Sequence, residues 1–152
     1  MLKIGDKYSF EVSYADRQSC LMFFKEDDSS SWSLDIGFCE GDFGDETVVP
    51  AICINPIDTD KNSVEELVGE KFRVTTIEEC DDREDTFYIF ESEPMVSYEV
   101  EVLEIKDSKA HIRCRGIMIV DGYSDPYEEE KFEIDCLVPI IESASDWAKF
   151  EN

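Results

Sequence analysis

Apolar and polar residues alternate along most of this chain, and this period of two constrains its fold more than any other feature. Tyr8, Phe10 and Val12 alternate with polar neighbours, and the apolar residues of segment 32–38 do the same. Such alternation places the two sets of side chains on opposite faces of a β-strand. The pattern predicts strands over nine segments: 8–14, 20–24, 32–38, 48–54, 71–78, 86–91, 95–105, 110–120 and 131–140.

Three local signals modify this series of strands. The apolar phase shifts between Val102 and Leu103, which predicts a β-bulge. Segment 63–66 (SVEE) has the pattern of a capping box, and Gly69 follows as a stop, so a short helix is predicted there. A second short helix is predicted over 143–150.

Length and pattern together predict one mainly β domain over residues 1–152. A chain of this size, with 42% hydrophobic residues, buries about two-thirds of its unfolded surface. Many strands at short spacing with little helix predict an all-β or α+β fold. The expected architecture is an antiparallel sandwich or a partly open barrel of about eight or nine strands.

The first half of the chain has an echo in the second half. Segment 4–8 (IGDKY) matches 68–72 (VGEKF), and 32–36 matches 98–102 in its apolar phase. A duplication would give two related β modules, a pseudo-repeat of 4–58 and 68–124. Chance similarity between alternating strands with acidic turns explains the echo equally well.

The formal net charge is −24, from 38 acidic and 14 basic side chains. Charge on this scale repels itself in the compact state, so a basic partner or a need for solubility is expected to explain it. The charge argues against direct binding of nucleic acid, whose phosphates are neutralised by Lys and Arg, and against an anionic membrane surface. No apolar run approaches about 20 residues, and the first ten residues lack an apolar signal core, so neither a membrane span nor a secretion signal is expected.

Six cysteines lie at positions 20, 39, 53, 80, 114 and 136. Cys20 and Cys53 lie in apolar runs, where a free cysteine behaves as a small hydrophobic residue. The chain has no C-x-x-C pair and a single histidine, so no zinc site or other cofactor is expected. Reduced thiols predict a cytoplasmic location.

The sequence contains no catalytic constellation, and we expect no enzyme activity. His111 lies inside the predicted strand 110–120 without a nucleophile elbow, so a packed or half-exposed strand histidine is the simpler interpretation. Carboxylate pairs occur throughout the chain, and no single pair indicates an acid–base site.

Segment 58–62 (DTDKN) resembles the opening of an EF-hand calcium loop. Ser63 stands where that loop needs glycine, and Gly69 stands where it needs a bidentate glutamate, so no metal ligands are predicted there. A calcium-binding β module stays an alternative, with the ion in one of three acidic loops: 40–46, 81–85 or 121–130.

Arg113 and Arg115 form the one close pair of arginines. They alternate with Ile112 and Cys114, so both are expected to point away from the core. Cross-strand ion pairing is predicted in preference to anion binding. The acidic partners would come from the preceding strand (Glu99, Glu101) or the following one (Glu133, Asp135).

Two acidic loops with embedded aromatic residues are the best candidates for a functional site. They span 41–46 (GDFGDE) and 121–130 (DGYSDPYEEE), and Gly and Pro place both in turns. Carboxylates speed encounter with a basic partner, and aromatic rings supply binding hot spots. Ordinary hydrophilic loops with inward-packed aromatic rings are the alternative. The predicted partner-binding residues are Asp42, Phe43, Asp45, Glu46, Asp121, Tyr123, Asp125, Tyr127, Glu128, Glu129 and Glu130.

These features predict an intracellular binding protein that neutralises a basic protein partner. A small acidic domain without a catalytic constellation is typical of bacterial immunity proteins as a class, and its carboxylates would cover the positive cleft of a cationic nuclease toxin. No family motif carries this analogy. One alternative is a non-enzymatic accessory or oligomerising β module without a basic partner. The other is the calcium-binding module.

Overall fold

A computed structural model describes residues 1–15, 19–122, 127–143 and 145–146. Strands dominate it, and the prediction of a mainly β fold is confirmed. The helical segments are a 3-10 helix, Val64–Leu67, and one α-helix, α1 (Ile77–Arg83). Within the described ranges, the strands are β1 (Leu2–Ile4), β2 (Tyr8–Phe10), β3 (Val12–Ser13), β4 (Cys20–Lys25), β5 (Ser30–Phe38), β6 (Gly41–Phe43), β7 (Glu46–Val48), β8 (Ala51–Thr59), β9 (Lys71–Val74), β10 (Thr86–Tyr88), β11 (Ser92–Pro94), β12 (Ser97–Lys106), β13 (Lys109–Asp121) and β14 (Glu128–Ile141).

Twelve of these strands form one hydrogen-bonded sheet that folds over itself. Its main path runs β11-β10-β8-β5-β4-β14-β13-β12-β9, and the path does not close into a barrel. The pairing is antiparallel except between the end of β14 and β4. The long β14 connects the two halves of the sheet because it pairs with β13 over most of its length, with the three residues of β1 near its middle, and with β4 at its end. Strands β6 and β7 form a separate hairpin.

The core lies between the two halves of the folded sheet. In β12, Tyr98, Val100 and Val102 point inward and are buried, as the alternation predicts. The rings of Phe87 in β10 and Phe132 in β14 lie 5.0 Å apart between centroids, so the halves pack face to face. Burial of apolar surface is the main stabilising contribution in such a core. The predicted bulge is confirmed, since the β12–β13 register shifts between Val102 and Glu104.

The predicted strand 71–78 was wrong in its second half. Strand β9 ends at Val74, and Thr76 caps α1, its side chain accepting a hydrogen bond from the backbone N–H of Glu79 at 3.2 Å. Acidic residues in the first turn and Arg83 in the last turn complement the helix dipole. The T-x-x-E pattern of a capping box was present in the sequence, but the β-branched residues around it favoured a strand.

The predicted helix after Ser63 is a 3-10 helix of one turn. The Ser63 side chain makes no capping hydrogen bond, whereas Glu66 accepts one from the backbone N–H of Asn62 at 2.8 Å. Gly69 ends the segment with φ +89°, a left-handed conformation that favours glycine. No helix in the described ranges is long and apolar enough to cross a membrane. Most of the predicted helix 143–150 lies outside the described residues, and the repeat of 4–58 and 68–124 stays a prediction.

Candidate functional site

The first acidic loop is the β6–β7 hairpin. Gly44 turns the chain with φ +63°, and Asp42, Asp45 and Glu46 are exposed. Phe43 is half-buried, with its ring centroid 4.5 Å from that of Tyr8 in β2. The aromatic residue of this loop therefore anchors the hairpin to the sheet and leaves the carboxylates in solvent.

The second acidic loop connects β13 to β14. Asp121 ends β13 and is the register partner of Glu128, the first residue of β14. The side chains of Tyr127, Glu128 and Glu129 are exposed, as is that of Glu130. The predicted residues Tyr123 and Asp125 lie outside the described residues.

The β6–β7 hairpin and the described ends of the β13–β14 connection meet around a depression of about 520 Å³. Phe43 comes from the first loop, and Asp121 and Glu128 come from the second. The connection from β10 to β11 completes the lining with Phe90 and Glu93. These five residues define what we call the tip depression.

Phe90 was not among the sequence-predicted site residues. Its ring contacts that of Phe43 edge-on, with 5.9 Å between centroids and 69° between planes, and 43% of the residue remains exposed. A signal for it did exist, because the alternation that buries Phe87 and Ile89 turns Tyr88 and Phe90 outward. The contact with Phe43 has no counterpart in the sequence pattern.

Gly122 makes room for one carboxylate of the tip depression. A Cβ at this position would lie 2.6 Å from a carboxylate oxygen of Glu93. The carboxylate of Glu93 therefore lies directly over the backbone at the end of β13. Glu93, like Phe90, was missed at the sequence level because its position depends on this contact between remote segments.

Glu130 belongs to a different part of the surface. It lines a cavity of about 940 Å³ beside the β1–β2 turn, and its carboxyl group lies 3.1 Å from where a Cβ of Gly5 would be. The structure therefore separates two residues that the sequence grouped, Glu128 and Glu130. Four of the 14 basic residues of the chain line this second cavity: Lys3, Lys7, Arg115 and Lys131.

The same half of the sheet carries cross-strand rows of alternating charge on its outer face, which we call the ladder face. In one row, Arg73 of β9 is opposite Glu99 of β12, and Glu99 is opposite Arg115 of β13. Arg115 is in turn opposite Glu133 of β14, which pairs with Lys3 of β1. Opposite charges in register stabilise neighbouring strands.

A second row of the ladder face runs parallel to the first. It consists of Lys71, Glu101, Arg113 and Asp135, each opposite the next in the β9–β12–β13–β14 register. The ammonium of Lys71 lies 3.9 Å from a carboxylate oxygen of Glu101. The predicted cross-strand neighbours of Arg113 and Arg115 are confirmed in register on both sides, and an ion pair of 3.8 Å joins Arg115 to Glu99.

Ion pairing on the ladder face shifts the pKa of one carboxyl group. A hydrogen bond from Arg73, assisted by the charges of Lys71 and Arg115, lowers the pKa of Glu99 below its usual value. His111 lies on the same face, with Nε2 2.6 Å from Oδ1 of Asp135. This is the half-exposed strand histidine that the sequence favoured.

The negative charge is distributed unevenly over the fold. Between Lys25 and Lys61 the chain has ten acidic residues and no lysine or arginine. This stretch comprises β5 to β8 and the residues that flank them, and four of its ten acidic residues (Glu40, Asp42, Asp45 and Glu46) lie in or next to the hairpin of the tip depression. Cations concentrate instead on the ladder face, so the two regions differ strongly in local charge.

A buried carboxylate, Asp85, organises the polar interior. Its Oδ1 accepts from the backbone N–H of Asn55 at 2.8 Å, and its Oδ2 accepts from Nε of Arg83 at 2.7 Å and from the hydroxyl of Tyr98. The guanidinium of Arg83 also lies over the ring of Phe72, 4.7 Å from its centroid. These bonds tie α1 and β10 to β8 and β12, which indicates a structural role for Asp85.

All six cysteines are free thiols. Burial raises the pKa of Cys20 and Cys136 to about 11 and that of Cys53 and Cys80 to about 12, and it raises the pKa of Cys114 as well. Because the thiolate is the reactive form, these five groups are poor nucleophiles at neutral pH.

The EF-hand-like segment does not form a calcium loop. It covers the end of β8 and the approach to the 3-10 helix, and the Thr59 hydroxyl donates a hydrogen bond to Glu70. Throughout the part of the chain that the structure describes, no group of three or more His, Cys, Asp or Glu side chains is placed to hold a metal ion.

Comparison with known proteins adds no functional assignment to this geometry. The chain was compared with protein-family models, with curated proteins and with solved structures, and none of the three comparisons found a match.

Proposed function

We propose that this protein binds and neutralises a basic protein partner in the cytoplasm, in the manner of an immunity protein that inhibits a cationic nuclease toxin. One observation carries the proposal. Phe43 of the β6–β7 hairpin lies with Asp121 and Glu128, from the two ends of the β13–β14 connection, around the tip depression, and cations concentrate on the ladder face.

The electrostatics support a role in association. Clustered carboxylates attract a cationic protein over distances of about one Debye length, roughly 8 Å at physiological ionic strength. They accelerate encounter and orient the partner, whereas exposed aromatic rings supply most of the affinity. The tip depression offers both, with Phe90 at its surface and Asp121 and Glu128 beside it.

A stable interface needs about 800 Å² on each partner, so the contact would extend beyond the depression itself. The exposed carboxylates of Asp42, Asp45 and Glu46 continue the acidic surface on the hairpin. In a complex with a nuclease, these carboxylates would occupy the positions that the substrate phosphates take in the nuclease cleft. The free thiols support the cytoplasmic location because disulfides are rare there.

Binding to purified cationic nuclease domains tests this function, starting with basic proteins encoded next to this chain's own gene. Calorimetry at 0.05 M and 0.3 M NaCl measures affinity, and a DNA cleavage assay measures inhibition. We expect a bound partner whose affinity falls as salt rises and whose nuclease activity is inhibited.

Two triple variants with the same change in charge test which surface of the chain binds the basic partner. Replacing Asp42, Asp45 and Glu46 with lysine is expected to weaken binding about tenfold or more. Replacing residues 26–28 (EDD) with lysine is the control, because this exposed turn lies at the opposite end of β5. Equal losses for both triples, or no nuclease bound even at low salt, would contradict the proposal.

A further inference from the structure

We infer that the tip depression recognises an arginine side chain of the basic partner; this inference rests on the proposed function. The observation behind it is a contact between two aromatic rings on a surface dominated by carboxylates. Phe90 keeps 43% of its surface exposed, although a phenylalanine at a loop position is stabilised by burial. A cationic side chain that also has a planar face fits this combination.

The ring of Phe90 is held in place before any partner arrives. Its edge-on contact with Phe43 continues into the tilted contact between Phe43 and Tyr8, so three rings in succession connect the sheet to the surface. An aromatic ring fixed by packing loses little conformational freedom on binding. Phe90 therefore forms a pre-organised wall of the depression.

The carboxylates of the depression come from separate elements. Glu128 begins β14, and Glu93 of β11 lies over Gly122 at the end of β13. Both line the depression together with Phe90. A guanidinium that contacts the ring of Phe90 therefore has carboxylate acceptors beside it.

Arginine fits this site better than lysine. Its guanidinium is planar and weakly hydrated, stacks on aromatic faces and donates to carboxylates through a fork of N–H groups, whereas an ammonium is a compact, strongly hydrated charge. The chain contains the same combination in its interior, where Arg83 lies over Phe72 and donates to Asp85. The tip depression presents an aromatic ring and carboxylates without an arginine of its own among the lining residues.

Two synthetic peptides of equal length and charge test the inference, one with six arginines and one with six lysines in a Gly-Ser background. Fluorescence anisotropy at 0.15 M NaCl measures their affinities for the full chain. We expect the arginine peptide to bind about fivefold more tightly, the size of an exposed cation–π contribution. Phe90→Leu should abolish this preference and leave the affinity for the lysine peptide unchanged.

Matched variants separate the role of the ring from general effects. Phe24→Leu makes the same change at a phenylalanine that is 42% exposed in β4, and it should keep the arginine preference. Phe90→Trp should retain or increase the preference because indole binds cations best. Both Phe90 variants are at an exposed position, and thermal unfolding will check that they fold.

The outcomes distinguish this inference from the proposed function. Equal binding of the two peptides, or an arginine preference that survives Phe90→Leu, would overturn the arginine site. The proposed function would still hold in that case if a cationic nuclease bound with an affinity that falls as salt rises. If neither peptide nor any cationic nuclease binds, both are wrong.

Discussion

The hydroxyl group of Tyr98 donates a hydrogen bond to the carboxylate of Asp85, and both residues are buried in the core. Burial and the neighbouring carboxylate raise the pKa of Tyr98, so the hydroxyl keeps its proton and remains a donor. Arg83 and the backbone of Asn55 complete the set of donors. A charge removed from water is tolerated here because it is paired and fully hydrogen-bonded.

Removing this carboxylate should be among the most destabilising single changes in the chain. Asp85→Ala leaves the Tyr98 hydroxyl and the inner N–H of Arg83 without their acceptor, and we expect it to lower the free energy of unfolding by about 3–5 kcal/mol. Tyr98→Phe removes one donor and should cost about 1–3 kcal/mol. Urea denaturation measures both, and a loss below 1 kcal/mol for Asp85→Ala would show that the network is dispensable.

Arg73→Gln tests the ladder face through its pH dependence. The pKa of Glu99 is lowered in the folded state, so the ion pair stabilises the fold above the unfolded pKa of about 4.5 and this contribution is lost as the pH falls through the folded pKa. The variant should be less stable than the wild type at pH 7, and the difference should shrink below pH 4. Lys25→Gln removes the same charge from a lysine that makes no ion pair with the residues that the structure describes, and it should show no such trend. Urea midpoints at pH 7 and pH 3.5 provide the comparison.

The buried thiols predict a loss of stability at alkaline pH. Their folded pKa values lie above the ordinary value of 9.0, so from about pH 9 upward the unfolded chain releases protons that the folded chain retains. The free energy of unfolding therefore falls as the pH rises from 9 towards 12, by at most about 1.4 kcal/mol per pH unit for each thiol. Cys114→Ala should cost about 1 kcal/mol at pH 7 and make this decline shallower. Urea titrations with reductant at pH 8 to 10.5 measure how steeply the free energy of unfolding falls with pH. The same slope for Cys114→Ala and the wild type would show that this thiol does not contribute to the decline.

Thiol labelling tests the redox state. Cys39 is the exposed cysteine and should react first with a blocking reagent under native conditions. After denaturation without reductant, all six thiols should react, as counted by mass spectrometry of the intact chain. Recovery of fewer than six would contradict the proposed cytoplasmic location.

Glu128 and Glu130 are two residues apart, yet they line different cavities. Glu128→Lys should weaken binding of the basic partner several-fold, whereas Glu130→Lys should have little effect, because its carboxyl group lies beside the cationic β1–β2 region. Each substitution should change stability by about 0.5 kcal/mol or less. Calorimetric titration with the nuclease compares the two variants, and equal losses would place the interface across the whole start of β14.

Much of the fold was predictable from local pattern. The alternation identified the strands, the phase shift at Val102 located the bulge, and Arg113 and Arg115 found their cross-strand partners. Helix α1 was missed because β-branched residues near Thr76 favour strands in local terms, while the N-cap and the contacts of Arg83 with the Asn55 region favour the helix. The site was predicted in part: Phe43, Asp121 and Glu128 meet as a group, but Phe90 and Glu93 were missed.

The sequence by itself determined which residues of each strand face inward, because side-chain direction alternates with the backbone of the same strand. It also determined the excess of negative charge. Only the tertiary structure decided that the β6–β7 hairpin meets the β10–β11 connection and the end of β13, and that Glu130 points away from them. These contacts join segments far apart in the chain, and they depend on how the two halves of the sheet pack, which no local period encodes.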